Sequence, residues 1–349
     1  TEHRRPMTDL GYVLTMTHAW TAPVGYEVAI SGGIDTAELT DLIVAAETAI
    51  DGLSHMTPSF VNMLLQAPDV DRDAGALLFR HIASGQIAAF GVFRHPEPHV
   101  ETATMGWVHP AHRGHGIGAT IVQWGLELAR MRIPYAPEDA RVTNRCQASD
   151  ADTAAATVFI DLGYSPDRRE IEMELVFDDV VAVAPIPAGI TIRTVTRDSD
   201  VEAVARVSSD AFKDHYGWAE SSWDQTLERW ANFRAMDEWD DDLVFVAEAE
   251  GEPVGELVGV RSHGSTTGSG YIGSLGVVRS WRGKGLARAL LTRAFAAYQA
   301  RGMRAVALDV DADSLTGATR LYESVGMMPV RSETAYLIEL RPGIDLVKR

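Results

Sequence analysis

The chain has 349 residues, 46% of them hydrophobic and 23% charged, which is enough apolar material for two ordinary domains and excludes a disordered or fibrous composition. A formal net charge of -18 argues against nucleic acid or an anionic membrane as partner, because either requires a positive surface to displace counterions. The one cysteine, Cys146, excludes an internal disulfide framework and reads as a buried small hydrophobe in a reducing, cytoplasmic setting; no apolar run reaches membrane-spanning length, and no secretory segment follows the polar start Thr1 to Pro6.

Taken in order, Leu39, Ile43, Ala46 and Ile50 recur on one face and predict a helix over 36–49. Strand-like runs at 76–79 and 87–93 flank Ser84-Gly85 and read as a hairpin. A third apolar run, 102–108, leads into His109-Pro-Ala-His-Arg-Gly-His-Gly-Ile-Gly118, after which Ile117, Ile121, Trp124 and Leu128 share a helical face. Pro185 and Pro187 make 178–189 a linker, or the last strand plus a linker, so a first domain is expected over 1–183 and a second over 189–349. The second opens on an alternating strand at 190–193 and a helix at 198–211 carrying Val201, Val204, Ala205 and Val207. A hairpin of 243–247 and 253–260 turns at Glu250-Gly251, a Ser/Thr/Gly-rich loop fills 261–270, and strands follow at 271–278, 305–310 and 334–340. The acidic stretches 237–242 and 248–252 read as solvated surface, and no His/Cys/Asp/Glu cluster has metal-ligand spacing.

The strand 271–278 stops at Arg279-Ser-Trp-Arg-Gly-Lys-Gly-Leu-Ala287, and Leu286, Leu290, Ala294 and Ala297 then share one helical face. Strand, glycine turn and helix in this order make a phosphate cradle. The first helical turn has N–H groups without partners and the positive end of the peptide dipoles, glycines allow close approach, and Arg282 and Lys284 add charged donors. The spacing fits neither a Walker loop nor a dinucleotide fingerprint, because Gly283-Lys-Gly-Leu-Ala-Arg288 lacks the third small residue. The two halves repeat each other: Arg113, Gly116 and Gly118 precede Arg282, Gly285 and Ala287 by 169 positions, and Phe159-Ile-Asp-Leu-Gly-Tyr164 precedes Tyr322-Glu-Ser-Val-Gly-Met327 by 163.

Arg282-Gly-Lys-Gly-Leu-Ala287, set behind Leu275-Gly-Val277, resembles the Arg/Gln-x-x-Gly-x-Gly/Ala signature of the GCN5-related N-acetyltransferase (GNAT) superfamily, and 308–327 resembles the second half of that signature. The tandem layout is similar to that of mycothiol synthase-like actinobacterial acetyltransferases. The resemblance implies an α/β fold of two tandem GNAT-like (acyl-CoA N-acyltransferase) domains, each a mixed twisted sheet flanked by helices. It implies acetyl-CoA as donor, bound by Leu275, Val277, Arg282, Gly283, Lys284, Gly285, Leu286, Ala287 and Ser314, the last standing where the family commonly has asparagine. A possible second cofactor site is Arg113, Gly114, Gly116, Ile117 and Gly118.

For the chemistry, the resemblance makes Tyr322 the acid that protonates the leaving sulfur and the backbone N–H of Val277 the contact of the acetyl carbonyl, at a strand bulge that frees backbone groups. Glu339 and Asp309 both remain open as base. His215, Tyr216 and Trp218 lie where the superfamily builds its acceptor wall. Phe159 has no hydroxyl to donate, so the first half is expected to be degenerate and the second catalytic. The expected activity is acetyl transfer to a primary amine of a small molecule, with a protein or peptide amine, or a non-catalytic coenzyme-binding module, as alternatives.

Overall fold

The computed structural model describes residues 22–30, 35–71, 74–196, 198–213, 215, 218, 222–262, 268–312 and 317–347. In the first half, strand β1 (Tyr26–Ile30) is followed by helices α1 (Thr36–Asp51) and α2 (Pro58–Gln66), then by β2 (Ala76–His81), β3 (Ile87–Arg94) and β4 (Glu101–Val108). Helix α3 (Ile117–Arg132), β5 (Val142–Ser149), α4 (Thr153–Asp161) and β6 (Ser165–Val176) complete it. The second half repeats the order: β7 (Ile190–Thr194), α5 (Asp198–Phe212), α6 (Trp223–Arg234), β8 (Trp239–Ala249), β9 (Glu252–Val260) and β10 (Ser269–Val277). It ends with α7 (Leu286–Ala300), β11 (Ala305–Asp311), α8 (Ala318–Ser324) and β12 (Met328–Arg341). Each expected helix and hairpin is present, because the local periodicity that announced it is also what its core face needs.

The α/β reading holds, but the two sheets are merged. The strands form one twelve-stranded sheet in the order β1-β2-β3-β4-β5-β12-β6-β11-β10-β9-β8-β7. The halves have exchanged their last strands: β6 pairs antiparallel with β11, β12 pairs antiparallel with β5, and β6 and β12 pair with each other. A buried charge network pins this seam. Arg331 on β12 reaches Glu172 on β6 at 3.0 Å and Asp51 at the end of α1 at 3.4 Å, and His55 Nε2 lies 3.1 Å from Glu172.

Helices cover both faces. On one, α1 buries Leu39, Leu42 and Ile43 against β3, and Val204 of α5 meets Val244, Val246 and Val258. On the other, α3 packs Ile117, Ile121 and Trp124, and α7 packs Leu286, Leu290, Ala294 and Phe295. The linker lies along α7, where Val181 N–H donates to Gln299 and Ala184 N–H to Thr292, so it is tied down at both points. Cys146 is buried beside Phe159, Tyr164 and Tyr336, and burial pushes its thiol up to about 12, which makes it inert.

Candidate active site

Where β10 approaches its end, the sheet opens. Strand β10 pairs in parallel with β11 only from Ser269 to Tyr271, opposite Ala305 to Ala307, and the two strands then part. On its other side β10 stays paired with β9, with a register shift between Ile272 and Ser274 that makes Gly273 a bulge. Val278 N–H donates to Val254 at 3.0 Å, and backbone groups alternate sides along an antiparallel ladder, so Val277 turns its N–H away from β9 into the gap. The side chains of Leu275 and Val277 pack against the second-half core.

The glycine turn stands at the mouth of this gap. Gly283 and Gly285 have φ of 73° and 85°, conformations that a side chain would strain, and a Cβ at either would meet nothing within 4 Å. Gly285 caps α7 without any side-chain hydrogen bond, so the first-turn N–H groups from Leu286 onward point outward uncapped. Leu286 is buried in the core and anchors the turn, while Ala287 is half-buried. Lys284 stands 4.3 Å over the Trp281 ring. The guanidinium of Arg282 folds back, donating from Nε to Val277 O at 3.1 Å and from a terminal nitrogen to Ala211 O on α5 at 2.7 Å. It braces turn, strand and helix together, so the groups presented outward are the backbone amides and Lys284.

The first half repeats this construction. Gly114 and Gly116 have φ of 80° and 79°, Ile117 is buried, Gly118 is half-buried, and Arg113 donates to Ala46 O on α1 at 2.9 Å, the counterpart of the Arg282 brace. Strands β4 and β5 also part after Ala103 and Arg145, but the β3–β4 ladder runs without a register shift.

Tyr322, on α8, has its ring in the second-half core and 8% of its surface exposed. Its hydroxyl makes no hydrogen bond to a described residue; burial, with Glu256 nearby, pushes it up to about 12, so the phenol keeps its proton at neutral pH. The two carboxylates left open as base separate. Asp309 on β11 accepts from the Tyr271 hydroxyl at 2.8 Å. The strand exchange places Glu339 on β12, ion-paired with Arg141 at 2.7 Å and three strands from β10, about 14 Å at ordinary strand spacing.

Of the acceptor-wall candidates, His215 packs its ring edge-on to Phe212 at 4.5 Å in the turn that ends α5, and Trp218 N–H donates to His215 O. Tyr216 and Ser314 lie outside the described residues, as does His263. Among the described residues no group of three or more His, Cys, Asp or Glu is placed to hold a metal ion.

Sequence reasoning missed one residue here, Glu256. It lies fully buried on β9, in register with Gly276, where its carboxylate accepts from Ser274 Oγ at 2.7 Å. The available signal was a lone carboxylate inside the apolar run 253–260.

The family described as "Acetyltransferase (GNAT) family" matches residues 38–144 and 209–327, once in each half and together over more than half of the chain. The chain is 28% identical to the mycothiol acetyltransferase of Salinispora arenicola over 317 residues, 88% of this chain and 95% of that one. Among solved structures it is similar to a GCN5-related N-acetyltransferase from Sphaerobacter thermophilus, with a TM-score of 0.73 and 33% identity, covering 93% of this chain and 99% of the other. A tandem GNAT protein from the clavulanic acid biosynthesis pathway shares the fold at a TM-score of 0.68 and 18% identity, covering 91% and 99%.

Proposed function

Starting from the fact that this chain belongs to the GNAT family and is a coenzyme-A-dependent acyltransferase, we propose that its second half moves an acetyl group from acetyl-CoA to a primary amine of a small molecule. The observation that carries this reading is the parting of β10 from β11, which turns Val277 N–H into a gap with the open glycine turn at its mouth, while Tyr322 packs in the same second-half core. The residues present fit the donor. Amides at Gly283, Lys284, Gly285, Leu286 and Ala287 suit a diphosphate, Lys284 supplies charge, and the apolar walls at Leu275 and Val277 suit a pantetheine arm. Val277 N–H would polarise the acetyl carbonyl, and the Tyr322 phenol would return a proton to the departing sulfur.

A small cationic acceptor is supported by the face of the sheet that carries α1 and α5. Glu172 and Asp309 are cross-strand partners there, and Asp51 and Glu333 join Glu172 around Arg331, so carboxylates outnumber guanidinium in this cluster. In the first half the phosphate turn keeps its shape but Phe159 has no proton to give. We read that half as able to hold a coenzyme without turning it over.

A coenzyme-release assay of the full chain over a panel of small amines and peptides tests the reading. Saturable release with a small amine is the expected outcome. Release with peptides alone would make the protein a peptide modifier, and binding of acetyl-CoA without release for any amine would make it a binding module.

A further inference from the structure

Resting on that reading, we infer that Glu256 is the catalytic base that takes the proton from the acceptor amine, and that it and Tyr322 form an acid–base pair reaching the splayed end of β10 from opposite faces of the sheet. Along β9, Gly255 and Leu257 face α7, where Leu286 and Leu290 pack, while Glu256 and Val258 face α5. A Cβ built on Gly276 would lie 2.6 Å from Glu256 Oε1 and 3.0 Å from the Ala211 methyl, so the glycine leaves the space that the carboxylate occupies. Tyr322 belongs to the cluster on the α7 face. The gap between β10 and β11 is the route between them.

Two features separate Glu256 from a structural carboxylate. First, Oε1 is satisfied by Ser274, but Oε2 is buried with no hydrogen-bond partner among the described residues, an expensive arrangement for a group with no further task. Second, the molecule contains its own control. By strand register the counterpart of Glu256 is Phe90 and that of Gly276 is Trp107; these two are stacked with ring centroids 6.2 Å apart, filling the position with carbon. The half with Phe159 in place of Tyr322 therefore also lacks the carboxylate and the glycine that accommodates it. Acid and base are present together or absent together.

Burial pushes Glu256 up to about 7, so near neutral pH it can accept a proton. Around it, Ser274 and Gly276 N–H favour its charged form, Tyr322 is the titratable group that faces it from α8, and Arg282, the cation where the glycine turn meets α5, is engaged with the Val277 and Ala211 carbonyls. In the step itself the ammonium gives one proton to Glu256, and the freed nitrogen pair forms the C–N bond to the thioester carbonyl carbon. The C–S bond breaks with its pair on sulfur, which takes the Tyr322 proton, and the second nitrogen proton restores the phenol. Glu256 then releases its proton to solvent, so one ammonium and one thioester give one amide, one thiol and one proton.

The test is the pH dependence of kcat/KM in the full chain for wild type, Glu256→Gln and Glu256→Asp, with acetyl-CoA binding measured by calorimetry. We expect Glu256→Gln to lose about 100-fold in kcat, to bind acetyl-CoA as the wild type does, and to lack the acid limb near pH 7, with Glu256→Asp recovering part of both. The acceptor's own titration stays in all three, so only the limb that vanishes belongs to Glu256. A Glu256→Gln enzyme within threefold or so of wild type and with its acid limb intact would overturn the inference, as would loss of acetyl-CoA binding equal to the loss of rate. A wild type that releases no coenzyme with any amine would overturn the functional reading and this one with it.

Discussion

Tyr322 and Glu256 are each ordinary residue types placed where their environment sets their protonation. The phenol stays neutral because burial and a neighbouring carboxylate both oppose its ionisation, so replacing it by phenylalanine removes a proton donor and little volume. Tyr322→Phe should therefore lower kcat by about 100-fold while leaving the acetyl-CoA dissociation constant unchanged, as steady-state kinetics and calorimetry can check. For Glu256 the folded pKa lies above the ordinary value of 4.5. The folded protein holds this proton longer than the unfolded chain, so the group lowers stability as pH rises from about 4.5 to about 7 and keeps it lowered above that. Glu256→Gln should accordingly melt a few degrees higher than wild type at pH 8 and show little difference at pH 4, as calorimetric scans would record. Greater stability with less activity is the behaviour of a functional group, not of a packing one.

At the scale of the element, the second glycine turn has two separable duties. Gly283 and Gly285 shape the amides, and Arg282 fixes the turn to the end of β10 and to α5. Gly285→Ala forces a side chain into left-handed backbone, at a cost of roughly 1–2 kcal/mol, and should weaken acetyl-CoA binding at least tenfold. Gly116→Ala carries the same strain in the first half, and we expect it to lower the melting temperature similarly while leaving turnover unchanged. Arg282→Lys keeps the charge but cannot reach two carbonyls as a guanidinium fork does, so it should raise the KM for acetyl-CoA. If turnover depended equally on both glycine turns, the assignment of catalysis to the second half would fail.

At the scale of the whole molecule, exchange of β6 and β12 makes each half depend on the other. A fragment ending before β12 leaves β5 and β6 each without a neighbour, and the second half alone exposes the β11 edge that β6 covers. Fragments 22–183 and 189–347 should each aggregate or stay partly unfolded when expressed alone, which circular dichroism and sedimentation would reveal. Arg331 holds the seam, and Arg331→Ala leaves Glu172 and Asp51 buried without their cation, so it should cost about 3 kcal/mol in denaturant unfolding. No helix among the described residues is long and apolar enough to cross a membrane.

Much of this was legible from sequence because it is local. Helical faces, hairpins and the glycine turn are written in periodicity and in residues that few other backbones tolerate, and a repeat offset of 169 positions exposes the second copy. Residue type alone distinguished Tyr322 from Phe159 as a proton donor. The exchange of β6 and β12 was not legible, because a strand's own pattern says which face is buried and not which neighbour it will have. That exchange is what moved Glu339 to the far side of the seam. Only the folded chain could single out Glu256, whose role depends on a glycine twenty positions away in sequence and on a strand that leaves its partner. Proton affinity is a property of surroundings, and surroundings are assembled by tertiary contacts.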